Sequence, residues 1–244
     1  MNAPPNRSGT TLLSVQHLGA GYGGMPVLTN LSIEIKRGEI VALVGSNGAG
    51  KTTTIRALSR VIACEGTIMF DGRDLVPMSS DQAFKAGLVQ VPEGRQLFDR
   101  MTVADNLLMG AYLRSNSAEA ARDLERMYSL FPRLGERKNQ LAGSMSGGEQ
   151  QMCAMARALM ARPVLLMIDE MSLGLAPVIV EQLTNVLSSI RHDGVTVLLV
   201  EQDVHTALSI ADRGYVMETG SIVHSGPAQV LIKDPAVRQA YLGI

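Results

Sequence analysis

The sequence predicts an α/β fold: a parallel sheet covered on both faces, with an antiparallel β subdomain and an inserted helical subdomain. Three observations carry that prediction. Ile40–Val44, Val164–Ile168 and Val195–Val200 are short, nearly continuous apolar runs, the composition of strands buried on both faces. The second and third runs are each followed by acidic residues and then a helical pattern, the alternation of a parallel sheet with crossover helices. Between Gly94 and Pro163 no such run occurs, and apolar residues recur at helical spacing instead.

Taken in order, Met1 to Thr11 is polar and proline-containing and reads as a floppy tail with no signal-peptide core behind it, which predicts a cytoplasmic chain. Leu12–Leu18 and Leu31–Ile35 read as half-buried antiparallel strands, since Ile33 and Ile35 alternate with Ser32 and Glu34. Ile40–Val44 then runs straight into glycines. About 70 residues, 94–163, form the predicted helical subdomain. Within it Leu124, Met127, Tyr128 and Phe131 fall at i, i+3, i+4 and i+7, and Pro132 ends that helix. Tyr215–Glu218 and Ile222–His224 read as a closing hairpin with Thr219-Gly220 at its turn, before a short helical C-terminus.

Composition excludes several classes. With 46% hydrophobic and 18% charged residues, the 244-residue chain is neither disordered nor fibrous, and its length suits one large domain or two intimately packed ones. The net charge of -1 offers no electrostatic footprint for a phosphate backbone, so no nucleic-acid partner is expected. Cys64 and Cys153 lie far apart with no ligand cluster beside them and read as two buried thiols. The longest uncharged stretch, Ser8–Ile33, holds five glycines, a proline, an asparagine, a glutamine and a histidine, and cannot cross a bilayer alone.

Two motifs carry chemistry. Gly45-Ser46-Asn47-Gly48-Ala49-Gly50-Lys51-Thr52 fits G-x-x-x-x-G-K-[ST], between a buried strand and a helix-compatible run. Its glycines let backbone N–H groups turn inward around phosphate oxygens, and the helix start adds partial positive charge. Lys51 then reaches the β- and γ-phosphates and Thr52 holds Mg²⁺; Gly45, Asn47, Gly48, Gly50 and Thr53 complete the candidate nucleotide contacts. The second motif ends the run Val164–Ile168 in Asp169-Glu170, two carboxylates at the strand end where α/β sheets place ligands. Asp169 suits the Mg²⁺ shell, and Glu170 suits the general base that polarises the attacking water.

Met145-Ser146-Gly147-Gly148-Glu149-Gln150-Gln151 makes a resemblance specific. It resembles the Leu-Ser-Gly-Gly-Gln signature of ATP-binding-cassette (ABC) ATPases, which opens a helix between the two nucleotide motifs. Ser146 can cap a helix running toward Ala161, with bare glycines that let another molecule's triphosphate approach. The resemblance spans the chain beyond the tail, 12–244, and implies a P-loop NTPase core of the ABC type that uses ATP and Mg²⁺. Tyr22, in Gly19-Ala20-Gly21-Tyr22-Gly23, stands where the family stacks an aromatic on adenine.

Four positions depart from the general ABC pattern. Glu93 stands at the usual Q-loop glutamine, Gln202 at the switch histidine, Glu149 at the signature glutamine and Ala176 at the D-loop aspartate. Gln90 belongs to the preceding strand, and His205 falls three residues too late to be the switch. Together with FPRL (131–134), SLGLAP, VEQ, ADRGYVME and AYLG, these departures resemble one ATPase subunit of branched-chain (hydrophobic) amino-acid uptake systems, in which Glu and Gln at the first two positions are ordinary. Met171 stands where that branch has proline.

The resemblance implies an ATP-hydrolysing subunit peripheral to the cytoplasmic face of the inner membrane. Its implied partners are two integral-membrane permeases, a homologous second ATPase subunit in a heterodimer and, indirectly, a periplasmic solute-binding protein. Lys51, Glu170, Gln202 and Glu93 form the implied catalytic set, with Ser146 and Gly148 completing the neighbour's site. Related systems carry urea, short amides or aromatic acids, so the solute stays open. A soluble ABC protein outside transport is the alternative class, without the long insertion or second cassette usual there; a P-loop kinase or GTPase leaves MSGGEQQ unexplained.

Overall fold

The computed structural model describes residues 9–242. The tail's first eight residues lie outside the described residues; Thr11, given to the tail by its polarity, opens the first strand and pairs with Lys36. That strand, β1 (Thr11–Tyr22), and β2 (Met25–Lys36) are 12 residues each. They outrun the apolar alternation because β-bulges between Val15 and Gly21 let pairing continue through polar and glycine residues.

β3 (Ile40–Val44) follows, then α1 (Lys51–Leu58), β4 (Cys64–Phe70), β5 (Arg73–Asp74), α2 (Ser80–Lys85) and β6 (Leu88–Val91). Helices fill the next stretch: α3 (Val103–Gly110), α4 (Ser117–Leu130), α5 (Pro132–Glu136) and α6 (Gly147–Met160). β7 (Leu165–Asp169), α7 (Pro177–His192), β8 (Thr196–Glu201), α8 (Val204–Ile210), β9 (Arg213–Glu218) and β10 (Ser221–Pro227) complete the core, and short helical turns end the chain. Pro132 both stops α4 and starts α5 at its first position, where its missing N–H costs nothing.

β1, β2, β4 and β5 form an antiparallel sheet in the order β2-β1-β4-β5. The second sheet runs β10-β9-β3-β8-β7-β6, parallel from β9 to β6, with β10 antiparallel at its edge. Strand alternation splits the core across this second sheet. Val41, Leu43, Leu165, Met167, Leu198 and Val200 face the antiparallel sheet and α1. Ile40, Ala42, Val44, Leu166, Ile168, Val197 and Leu199 face the helical side. Met127, Phe131 and Leu134 join that second cluster, so the helices of residues 94–163 share the sheet's core. Cys153 is buried there, and burial pushes its thiol up to about 12; Cys64 is only half-buried, its sulfur 2.7 Å from Arg60 Nη1. No described helix is long and apolar enough to cross a membrane.

Candidate nucleotide site

β3, β7 and β8 end side by side, and the loops leaving them wall a cleft of about 540 Å³. Asn47, Gly48, Gly50, Lys51, Thr52, Thr53, Glu93, Glu170 and Gln202 line it together. The loop after β3 reverses through Gly48 and Gly50, whose φ values of 80° and 107° suit glycine alone, and passes directly into α1. Gly45 does not line the cleft. A side chain there would come within 2.3 Å of the Met217 carbonyl, so this glycine serves close backbone packing against β9. The β9–β10 turn also clamps the loop, because the Gly220 N–H donates to the Ala49 carbonyl at 2.8 Å.

Lys51 is buried, and its Nζ donates to the carbonyls of Gly45 at 2.8 Å and Ser46 at 3.2 Å. Glu170 Oε1 lies 3.3 Å from the same nitrogen. Glu170 sits in the left-handed region at φ 52°, its N–H donating to the Val200 carbonyl and its Oε2 accepting from the Gln202 N–H at 3.2 Å. This kink is how two adjacent residues diverge: β7 keeps Asp169 buried while Glu170 turns into the cleft.

Neither oxygen of Asp169 has a well-aligned hydrogen-bond partner. Burial pushes its carboxyl up to about 6, opposed by the nearby Thr52 hydroxyl, reinforced by the charges of Glu170 and Glu93, and opposed again by Lys51. An orphaned buried carboxylate beside a threonine hydroxyl is a donor set that fits a hard divalent cation.

Besides Gly45 and the buried Asp169, three further candidates lie outside the cleft. Tyr22 is 39% exposed beside α1. Against the upward push of partial burial, hydrogen bonding to Thr53 and Arg56 and the Arg56 charge draw its phenol below the ordinary value. Ser146 and Gly148 stand at the start of α6. Ser146 caps that helix in a reciprocal box with Glu149, as the spacing predicts, and Ala161 closes it. The glycines' bareness has a use within the chain too, since a side chain on Gly148 would meet Ile179 at 3.0 Å and one on Gly147 the Arg95 guanidinium at 3.1 Å. Gln90 lies in β6, accepting from Ser59 Oγ, and His205 is exposed on α8.

One group the motifs pass over is Glu201, fully buried at the end of β8. Its two oxygens accept from the Ser172 N–H at 2.9 Å and the Ser172 hydroxyl at 3.0 Å. Burial pushes its carboxyl up to about 7; the Ser172 bonds oppose this and the Glu170 carboxylate adds to it. Its signal in the sequence is a lone charge ending an apolar strand, within the VEQ run.

The ABC transporter family matches residues 28–172, more than half of the chain. The high-affinity branched-chain amino acid transport ATP-binding protein BraG of Pseudomonas aeruginosa is 45% identical over 95% of this chain and 100% of its own length. The lipopolysaccharide export system ATP-binding protein LptB of Acidithiobacillus ferridurans is 32% identical over 95% of this chain and 97% of its own. Among solved structures, the ADP conformation of MJ1267, an ATP-binding cassette of an ABC transporter, superposes with a TM-score of 0.82 at 25% identity, covering 96% of this chain and 100% of that one. The cleft, the strand order and these likenesses together place the chain in the ABC transporter family, among its ATP-binding, ATP-hydrolysing subunits.

Proposed function

We propose that this chain powers import of branched-chain (hydrophobic) amino acids through two partner permeases, peripheral to the cytoplasmic face of the inner membrane. The observation that carries the reading is the Lys51–Glu170 pair, 3.3 Å apart in a cleft at the strand ends, in a chain of which 95% matches BraG.

ATP would lie along the loop 45–52, its phosphates on inward N–H groups and the start of α1, its β- and γ-phosphates on Lys51, its adenine on Tyr22. Asn47 and Thr53 line the same cleft. Thr52 and Asp169 would hold Mg²⁺, which when bound offsets the triphosphate's charge. Glu170 takes a proton from water as that water's oxygen bonds to the γ-phosphorus and the bridging bond breaks, leaving ADP and phosphate. Gln202 donates an amide hydrogen to the γ-phosphate, and Glu93 faces it from the loop after β6. Ser146 and Gly148 complete the site of a homologous second ATPase subunit, while a periplasmic binding protein delivers solute to the far side of the permeases. A groove beside the Glu93 loop supports permease docking, since Phe98, Met109 and Tyr112 line it and are 38–62% exposed.

The test is ATP-dependent uptake of labelled leucine by proteoliposomes holding the chain with its permeases, its partner ATPase and the solute-binding protein, with urea, a short amide and an aromatic acid as competitors. Leucine uptake resisting those competitors is the expected result. Uptake of a competitor in its place would move the cargo, and hydrolysis indifferent to permeases would favour the non-transport alternative.

A further inference from the structure

Glu149 lies in the first turn of α6 with its side chain 14% exposed. Its Oε2 accepts from the Ser146 N–H at 3.0 Å and from Ser146 Oγ at 2.8 Å. Its Oε1 is 2.8 Å from Arg137 Nε. Arg137 is oriented in turn by Gln140, whose Oε1 accepts from Nη1 at 3.0 Å while its amide donates to Ser144 Oγ at 2.9 Å. Against the upward push of desolvation, the Ser146 N–H and hydroxyl and the charges of Arg137 and Arg133 hold the Glu149 carboxyl below its usual range. The carboxylate is therefore ionised at neutral pH.

That charge opposes the use proposed for this helix start. A helix N-terminus supplies about half a positive charge. One carboxylate on its first turn reverses the sign to about minus one half, and a guanidinium in contact with that carboxylate restores about plus one half. The Ser146 hydroxyl hydrogen is also directed at Glu149, so an anion arriving at Ser146 competes with the carboxylate for it.

We infer that Arg137 is a positioning residue for the neighbouring subunit's ATP: by pairing with Glu149 it offsets that carboxylate's charge and keeps the start of α6 able to receive a phosphate. The inference rests on the reading of Ser146 and Gly148 given above. Arg137 stands just past α5, twelve residues before Glu149, so the signature run does not reveal it.

The test measures ATP turnover against ATP concentration in the reconstituted transporter for Arg137→Ala, Glu149→Gln and the double variant. Arg137→Ala should lower kcat about tenfold with KM within about twofold, because ATP first binds the loop of its own subunit and meets α6 only on closure. The double variant should return to the rate of Glu149→Gln alone, since glutamine keeps the capping acceptor without the charge. Wild-type turnover in Arg137→Ala would overturn the inference. So would a double variant as slow as Arg137→Ala, which would make Arg137 a strut between α5 and α6. Ser146→Arg in the same preparation separates the two failures: full turnover there removes α6 from the neighbour's site, whereas its inactivation beside an active Arg137→Ala rejects the role of Arg137 alone.

Discussion

The Lys51 ammonium is held by two carbonyls of its own loop and by the Glu170 carboxylate, all within 3.3 Å. It is the fixed cation of the cleft, so Lys51→Ala should abolish ATP turnover in the assembled transporter and weaken nucleotide binding. Wild-type turnover would take the loop 45–52 out of the mechanism. Glu201 makes a different prediction. Its carboxyl moves from an ordinary 4.5 to about 7 on folding, so the folded chain holds a proton that the unfolded chain has released between those values. That contribution to stability is complete below about pH 4.5 and is lost as pH rises through about 7. Glutamine can accept from the Ser172 N–H through its oxygen and donate to the Ser172 hydroxyl through its amide, and it carries no charge, so Glu201→Gln should raise Tm more at pH 8 than at pH 5, by scanning calorimetry of the isolated subunit. An equal change at both pH values would contradict the assignment. Lys51, Thr52, Asp169 and Glu170 were legible in sequence because each belongs to a run whose chemistry demands its spacing. Glu201 was not, because burial of a carboxylate depends on what covers the strand end.

At the scale of elements, the fully buried strands were the most legible. Ile40–Val44 is β3 residue for residue, and the runs predicted at 164–168 and 195–200 are displaced by one from β7 and β8. β4, β5 and α2 have no counterpart in the sequence reading, and α3 has only its place in the helical stretch 94–163, although their signals are local. Asp71-Gly72 closes the β4–β5 hairpin with both residues left-handed, as Gly23-Gly24 and Thr219-Gly220 close the other two. Thr102 and Asp105 form a capping box at α3. A glycine with no local signal is Gly110, where a side chain would come within 1.9 Å of the Arg157 carbonyl. That contact sets how closely α3 approaches α6, so Gly110→Val should destabilise the chain by about 2 kcal/mol or more in urea unfolding. A change under about 0.5 kcal/mol would mean the helices can separate freely.

For the whole molecule, pattern and charge foretold the α/β architecture, but not how the helices of 94–163 attach. Their buried residues are continuous with one face of the parallel sheet, and such packing between distant segments leaves no trace in local periodicity. The signature helix and the phosphate loop of one chain occupy different places, which is why a pair of cassettes is the proposed working unit. Gln202 cannot take up a proton as an imidazole can, so hydrolysis should be insensitive to titration at this position, and Gln202→His should be tolerated. With Gln202 and Glu93 both departing from the general pattern, the proposed partner is a non-identical homologue. Native mass spectrometry of the transporter should find one copy of this chain and one of a second ATPase; two copies of this chain and no other ATPase would contradict the heterodimer.

Whether hydrolysis at Glu170 drives uptake is decided by Glu170→Gln in the reconstituted transporter. Glutamine keeps the shape and removes the base, so ATP should stay bound while hydrolysis and leucine uptake both fall by about 10²-fold or more. Wild-type hydrolysis, or loss of ATP binding in place of hydrolysis, would contradict it.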